Sequence, residues 1–246
     1  MPVTQTLIIA TLFLVGAALY ASVGHGGASS YLAVMALFNF TPAVMRPSAL
    51  ALNILVALIA TFRFYRAGLC SWALFWPFAA GSVPAAFVGG AMTLPTRGYK
   101  IVVGVVLLYA ALWMFRSAAR ASSVSARRPP LGSAVAAGVA IGLLSGLTGV
   151  GGGIFLSPLL LYMGWAETRA TSAVAAPFIL VNSIAGLSGQ VGTLPRLPNE
   201  ILYWGGAVLV GGWIGAAYGS AHAPPPVLRR LLAAVLVVAG VKLVLS

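Results

Sequence analysis

Apolar blocks long enough to cross a lipid bilayer recur along this 246-residue chain, and they limit its fold more than any other feature. A helix needs roughly 20 apolar residues to cross the hydrocarbon layer of a bilayer. Of the residues, 61% are hydrophobic and only 7% are charged, whereas soluble domains carry about 25% charged residues. The sequence therefore predicts an all-α polytopic membrane protein.

The net charge of +12 does not indicate a nucleic-acid-binding protein. The 14 basic residues stand singly or in pairs at the ends of the apolar blocks rather than along one polar face. Positive residues in short loops mark the cytoplasmic side of membrane proteins. We therefore expect a lipid bilayer and a small substrate as partners, and no nucleic acid. Nothing in the sequence indicates an oligomeric state.

Two glycine-rich stretches interrupt the apolar blocks: GHGG at residues 24–27 and GVGGG at residues 149–153. In a soluble protein such a run suggests a phosphate loop. At membrane depth, broken backbone leaves N–H groups that lipid cannot satisfy, so it is tolerated only where it is buried in protein or lines an aqueous cavity. We therefore expect both breaks to lie at a functional site.

The chain divides into two related halves, residues 1–117 and 131–246, joined by a polar linker at 118–130. When the breaks are aligned, Ser48 falls on Ser172 and Gly68 on Gly192. Chance alignment of apolar segments is the alternative explanation. The predicted segments are 5–23, 28–40, 48–62, 72–92 and 99–116, then 132–148, 154–165, 170–188, 201–221 and 228–245. Pro47 is expected in the first turn of the third helix, with Ser48 as its cap.

Loop charge predicts the orientation of the halves. If the segments flanking each break both cross, or both dip in and return, each half makes an odd number of crossings. One side then receives Arg63, Arg66, Arg116, Arg120, Arg127, Arg128, Arg169, Arg229 and Arg230, and the other receives Arg46, Arg97, Lys100 and Arg196. An even number of crossings divides them almost equally. The positive-inside rule therefore predicts inverted repeats, with the linker in the cytoplasm and both termini outside.

Three segments carry a family resemblance: GLTGVGGGIFLSPLLL in the second half, and SVGHGGASSYLAVMAL and MRPSALALN in the first. They resemble the TauE/SafE sulfite exporter family, which consists of small bacterial permeases with two related halves. The resemblance covers nearly the whole chain. It implies export or uptake of sulfite, sulfonates or related organosulfur anions across the inner membrane. The halves differ where His25 corresponds to Val150 and Ala33 to Pro158.

The residues themselves also favour an anion. A helix that restarts after a break offers free N–H groups and the positive end of its dipole, and anions bind well there. The only acids, Glu167 and Glu200, lie in predicted loops. A cation transporter or a carboxylate proton relay would place acids within the spans. The pathway is therefore expected to be neutral or positive.

The candidate substrate-binding residues lie in the breaks and in the helices that follow them. They are Gly24, His25, Gly26, Gly27, Ser29, Ser48 and Asn53, then Gly149, Gly151, Gly152, Gly153, Thr171, Ser172 and Asn182. Glycine lets the backbone approach a ligand closely, and the hydroxyl and amide groups offer hydrogen bonds. The simpler alternative is that the glycines only permit tight helix packing.

Three of these side chains have two interpretations each. His25 either donates to the anion and accepts a coupled proton, because histidine titrates near neutral pH, or is a neutral packing residue. Asn53 and Asn182 either line the cavity or hold helices together, since buried amides need hydrogen-bond partners.

The sequence therefore predicts a secondary transporter for a small organosulfur anion, with alternating access to a site near the midplane. A passive anion channel, or a transporter of a non-sulfur anion such as a carboxylate, is the alternative. An enzyme is not expected, because the spans hold no cluster of His, Asp and Glu and no nucleophile with its base. No cofactor and no metal are expected either. The identity of the anion, the direction of transport and the coupling ion stay open.

Overall fold

The computed structural model of the chain describes residues 2–117, 127–190, 197–221 and 226–245. Most of the predicted linker, residues 118–126, lies outside these ranges. Regular structure within them consists of ten helices. They are α1 (Val3–Ala21), α2 (Ala28–Leu37), α3 (Pro42–Arg66), α4 (Trp72–Ala91), α5 (Thr96–Ser117), α6 (Leu131–Thr148), α7 (Gly153–Tyr162), α8 (Thr168–Ser188), α9 (Ile201–Ala221) and α10 (Pro226–Leu245).

Seven helices of the described ranges are long and apolar enough to cross a membrane. The predicted all-α polytopic fold is confirmed. The short helices α2 and α7 hold 10 residues each, which is about 15 Å at 1.5 Å per residue. Each therefore reaches through only about half of the roughly 30 Å hydrocarbon layer. α2 begins directly after the first glycine break and α7 at the last glycine of the second, close to where the sequence places short apolar pieces.

The third helix of the first half begins earlier than expected. α3 starts at Pro42, with Thr41 as its N-cap residue. The prediction that Pro47 opens this helix and that Ser48 caps it is therefore wrong, because both are buried inside α3. Thr41-Pro42 carries the same start signal upstream, with proline at the first helical position. Pro47 lies in the second turn of α3, where it removes the helical hydrogen bond to the carbonyl four residues earlier.

Glycine forms the interfaces of two helix pairs, α4 with α6 and α1 with α9. A Cβ on Gly138 would overlap the backbone of Phe78, and a Cβ on Gly146 would overlap that of Ala86. The residue numbers of these contacting pairs rise together along both helices, so α4 and α6 run parallel. The other glycines that meet partner backbone in this way are Gly81, Gly89 and Gly142 in the first pair, and Gly211, Gly215 and Gly219 in the second. Small residues allow membrane helices this close approach.

The centre of the molecule is the contact between α3 and α8, which are the most buried of the candidate spans. Asn53 Nδ2 donates to Ser183 Oγ at 2.9 Å, and a Cβ on Gly186 would lie 3.5 Å from Leu50 Cδ1. In these two contacts the residue number falls along α3 as it rises along α8, so the two helices are antiparallel.

Helices α1–α5 and helices α6–α10 contact each other in matching pairs. α1 packs on α9 as α6 packs on α4, and α3 packs on α9 as α8 packs on α4. The third helices of the two sets, α3 and α8, pack against each other, and so do the fifth helices, α5 and α10. The pair α5–α10 is also antiparallel, because Gly104 lies against Val244 and Gly240 against Leu108.

Candidate functional site

Both glycine breaks fold as a turn between a long helix and a short one. The N-cap residue of α2 is Gly27, with φ of 94°, and that of α7 is Gly152, with φ of 83°. Residues other than glycine rarely adopt such a left-handed backbone conformation, which explains why glycine is found at these positions. Neither helix start is capped by a side-chain hydrogen bond from its N-cap residue.

Asn53 of α3 brings the two breaks together. A Cβ on Gly26 of the first break would overlap Asn53 Oδ1, and one on Gly151 of the second would overlap Asn53 Nδ2. Asn53 is fully buried. Its Oδ1 accepts a hydrogen bond from the Ala28 amide at 3.2 Å, and its Nδ2 donates to Ser183 Oγ. Because an amide nitrogen carries two hydrogens, one N–H of Asn53 stays without an acceptor among the described residues.

The remaining contacts place each break against the start of a helix from the opposite half. Gly24 packs against the backbone of Ser172, near the start of α8, and Gly149 packs against Arg46, near the start of α3. Gly153 approaches Ile179 of α8, and its Cβ position lies 3.6 Å from His25 Cδ2. The two breaks therefore adjoin each other between α3 and α8.

Several backbone amides of the breaks have no hydrogen-bond acceptor. Within the described ranges this holds for the amides of Gly26, Gly27, Gly151, Gly152 and Gly153. All five residues are buried. More than nine in ten buried backbone groups in proteins are paired, so a group of unpaired amides in two adjoining breaks is unusual.

The hydroxyl candidates differ in their surroundings. Ser29 is buried beside the Tyr20 hydroxyl. Ser48 Oγ and Thr171 Oγ1 are buried without a partner, and Ser172 donates to the Thr168 carbonyl within α8 at 3.2 Å. Ser183 is a polar residue at the junction that the sequence reasoning missed. It lies one residue after Asn182, and the side of α8 that meets α3 was not apparent from the pattern.

Asn182 lies apart from the breaks, on the side of α8 that packs against α4. Its Nδ2 donates to Ser82 Oγ at 3.0 Å and to the Phe178 carbonyl at 2.8 Å. Both of its N–H donors are therefore used, and its unpartnered atom is the acceptor Oδ1. An asparagine whose free atom is an acceptor is poorly suited to an anion.

His25 is half-buried in the first break. Its Nδ1 lies 2.9 Å from the Val23 carbonyl, and because a carbonyl only accepts, Nδ1 is the donor. Its ring packs edge to face against Tyr20 at 6.3 Å between centroids. The bond at Nδ1 leaves Nε2 as the basic nitrogen of the neutral ring.

Comparison with known proteins assigns the family. Residues 8–243 match the family described as "Sulfite exporter TauE/SafE". The chain belongs to this family. It is 42% identical over 243 residues to the "Probable membrane transporter protein y4hK" of Sinorhizobium fredii strain NGR234, and the aligned region covers 98% of each chain. No solved structure matches. The resemblance read from the glycine motifs is confirmed, and the chain is a multi-pass membrane transporter.

Arg46 is the residue of this TauE/SafE protein that sequence reasoning placed least well, as a basic residue of a loop. It is buried in the first turns of α3. Its guanidinium donates to the carbonyls of Gly146 at 2.7 and 2.9 Å, of Gly90 and Met92 at 2.8 Å, and of Gly89. These carbonyls end α4 and α6, where the helix dipole is negative. Arg46 thus joins three helices beside the second break.

The helices of this TauE/SafE protein carry no acid. Glu167 is the N-cap residue of α8, and Glu200 directly precedes α9. Among the described residues, no group of His, Cys, Asp and Glu could hold a metal ion. The fixed charge beside the breaks is therefore positive.

Proposed function

We propose that the protein is a secondary transporter for a small sulfur-containing oxyanion, such as sulfite or a sulfonate. The anion binds where the two breaks meet at Asn53. The observation that carries this proposal is the set of buried, unpaired amides contributed by both breaks. Amides at helix starts bind oxyanions through hydrogen bonds and through the positive end of the dipole. The family name supports sulfite as the first anion to test.

In this proposal the polar and charged side chains near the junction have different roles. Asn53 offers its remaining N–H to the anion while its other bonds hold α2 and α8 in place. Arg46 offsets the negative ends of α4 and α6, which would otherwise repel an anion near the second break. Ser48 and Thr171 supply unpartnered hydroxyls. Asn182, whose donors are used, has a packing role in this scheme.

The two halves act as inverted repeats that expose the site to each side of the membrane in turn. The antiparallel pairs α3–α8 and α5–α10, together with the matching contacts of the other helices, support this arrangement. Inverted repeats with broken helices that meet near the midplane are a recurring plan of secondary transporters. In a bacterial inner membrane, loop charge favours termini outside and residues 118–130 in the cytoplasm.

His25 is the candidate for a coupled proton in this cycle. Its Nδ1–H is held by the Val23 carbonyl, so protonation at the opposite nitrogen creates a positive charge in the first break. A charge that appears on protonation favours anion binding and disappears when the proton leaves. The proton and the anion would then cross together.

Proteoliposomes that contain the purified protein test the function. With an imposed pH gradient, we expect saturable uptake of sulfite, thiosulfate, taurine or sulfoacetate, and exchange of internal for external anion. Gly151→Leu should abolish the flux. Gly206→Leu is a matched control, because a Cβ on Gly206 meets no atom within 4 Å.

Three outcomes would contradict the proposal. Flux that follows voltage without saturation or exchange would identify a channel, and selective uptake of lactate or acetate would identify a carboxylate transporter. Absence of flux for every sulfur anion, in protein that is folded and inserted, would contradict the substrate class.

A further inference from the structure

Helix α3 carries three arginines, and they differ in how their donors are used. The guanidinium of Arg46, in the first turns, is engaged by backbone carbonyls on every nitrogen. The side chains of Arg63 and Arg66, in the last turn, form no hydrogen bond or ion pair with the described residues. The Nε atom of Arg63 is even buried without a partner. A buried N–H donor without an acceptor is costly, so an absent acceptor is indicated at this end of α3.

These two arginines line a cleft of about 400 Å³ together with Phe62, Ala67 and Trp213. Arg63 Cζ lies 3.9 Å from the centroid of the Trp213 ring, and Arg66 Cζ lies 5.6 Å from that of Phe62. Stacking on an aromatic face holds a guanidinium by its plane and leaves its edge, which carries the N–H donors, available. The cleft therefore offers two positive forks, and that of Arg63 is held by stacking.

The surroundings of the cleft are apolar and face outward. Phe62 and Trp213, which line the cleft, are 49% and 50% exposed, and Leu58, one turn before Phe62 on α3, is 55% exposed. In a membrane protein, an exposed apolar surface of this kind contacts lipid chains. Basic residues near the end of a span, on such a surface, lie where lipid headgroups are found.

We propose that this cleft binds the phosphate group of an anionic lipid. Arginine forks match the oxygens of a phosphate, and such charge-assisted hydrogen bonds are roughly twice as strong as neutral ones. The exposed rings of Phe62 and Trp213 contact the adjoining acyl chain, which a free inorganic anion lacks. The site is independent of the glycine breaks, because it uses the opposite end of α3 from Arg46.

Lipid retention by the full-length protein tests this proposal. After incubation with phosphatidylglycerol in detergent, native mass spectrometry counts the lipid bound per chain. In Arg63→Gln/Arg66→Gln we expect retention to fall about tenfold, the loss expected from removing charge-assisted bonds. Arg97→Gln, which removes an exposed arginine at the start of α5, should keep wild-type retention. Trp213→Leu should give an intermediate loss, because both arginines remain but Arg63 loses its stacking partner.

Competition identifies what the cleft recognises. We expect phosphatidylcholine, which has no net charge, and millimolar inorganic phosphate to displace little phosphatidylglycerol. Displacement by inorganic phosphate at that concentration would overturn the lipid assignment and indicate a site for free anions. Equal retention by the wild type and the double variant, at equal melting temperature, would overturn the site itself.

Discussion

The two glycine breaks share one backbone plan but lie in different chemical surroundings. Each separates a long helix from a helix of 10 residues, with a glycine N-cap residue in left-handed backbone. The first break contains His25 and packs against Ser172, whereas the second contains Val150 and packs against Arg46. A titratable side chain thus belongs to one break, and a permanently charged one stands beside the other.

This difference shows that two breaks of similar backbone geometry need not share the same electrostatics. Arginine stays charged at every physiological pH, so the second break faces a constant positive charge. The first break gains a charge only when its histidine is protonated. The two central helices differ as well, because α3 contacts both breaks through the polar Asn53, whereas α8 contacts both through the apolar Ile179. We therefore expect substitutions at matched positions of the two breaks to have unequal effects.

Leucine at the centre of either break should have the largest effect. In Gly26→Leu and Gly151→Leu the side chain overlaps Asn53, and the left-handed backbone of Gly151 adds a strain of about 1–2 kcal/mol. We expect both variants to insert in the membrane and to lose transport. Flux in proteoliposomes and chromatographic homogeneity are the measurements.

A second-site change separates the two breaks. Asn53→Ala removes the overlapping atoms, so it should restore part of the stability of Gly26→Ala. It should restore less in Gly151→Ala, because the backbone strain stays. Equal rescue of both single variants, measured by thermal unfolding, would show that contact with Asn53 alone dictates glycine at Gly151.

Removal of the fixed charge should mainly reduce stability. Arg46→Met leaves the carbonyls that end α4 and α6 without a donor, and each buried unsatisfied group costs about 1–3 kcal/mol. We expect a marked fall in melting temperature, a smaller fall in Arg46→Lys, and none in Arg97→Met. A melting temperature for Arg46→Met equal to that of the wild type would show that these bonds do not support the second break.

The two asparagines should respond differently. Asn53→Ala removes a donor from the proposed anion site, and the loss of one hydrogen bond to a charged group, about 1.5 kcal/mol, corresponds to a roughly tenfold higher KM. Asn182→Ala should lower stability and leave KM unchanged, because its amide pairs α8 with α4. Transport kinetics of both variants test this prediction. A KM of Asn53→Ala equal to that of the wild type would show that Asn53 does not bind the anion.

The smallest expected effect concerns pH. His25→Gln keeps a donor for the Val23 carbonyl but cannot take up a proton, so the flux should lose its dependence on pH between about 5 and 8. Val150→Leu, at the matching position of the second break, should keep it. Tyr20 is the titratable group that faces His25, and Tyr20→Phe serves as the control for its contribution. An unchanged pH profile in His25→Gln would exclude this proton carrier.

Much of the architecture follows from hydropathy and glycine alone. Long apolar segments predict the spans because lipid admits few other structures, and the breaks mark the starts of α2 and α7 because unpaired backbone is rare at membrane depth. The start of α3 was misplaced because two Pro-containing signals, at Pro42 and Pro47, stand close together. The earlier one forms the helix start.

The contents of the site were harder to predict, because they depend on which helix faces meet. The roles of Asn53 and Asn182 look alike in the sequence, since each is a single amide in a third helix. Only the packing of α8 against both α3 and α4 separates them. The sequence pattern starts α3 too late and therefore leaves Arg46 in a loop. The sequence does carry one indication of its role, because no acid lies near Arg46. A buried arginine without an acidic partner needs carbonyl oxygens as acceptors.

The most direct measurement is the position of a bound anion analogue. Selenite resembles sulfite in shape and charge, and its selenium atom can be located by anomalous diffraction from crystals of the transporter. We expect one peak between Gly26, Gly151 and Asn53, and none in crystals of Gly151→Leu. A peak that persists in Gly151→Leu, or that lies only in the cleft of Arg63 and Arg66, would contradict an anion site formed by the two breaks.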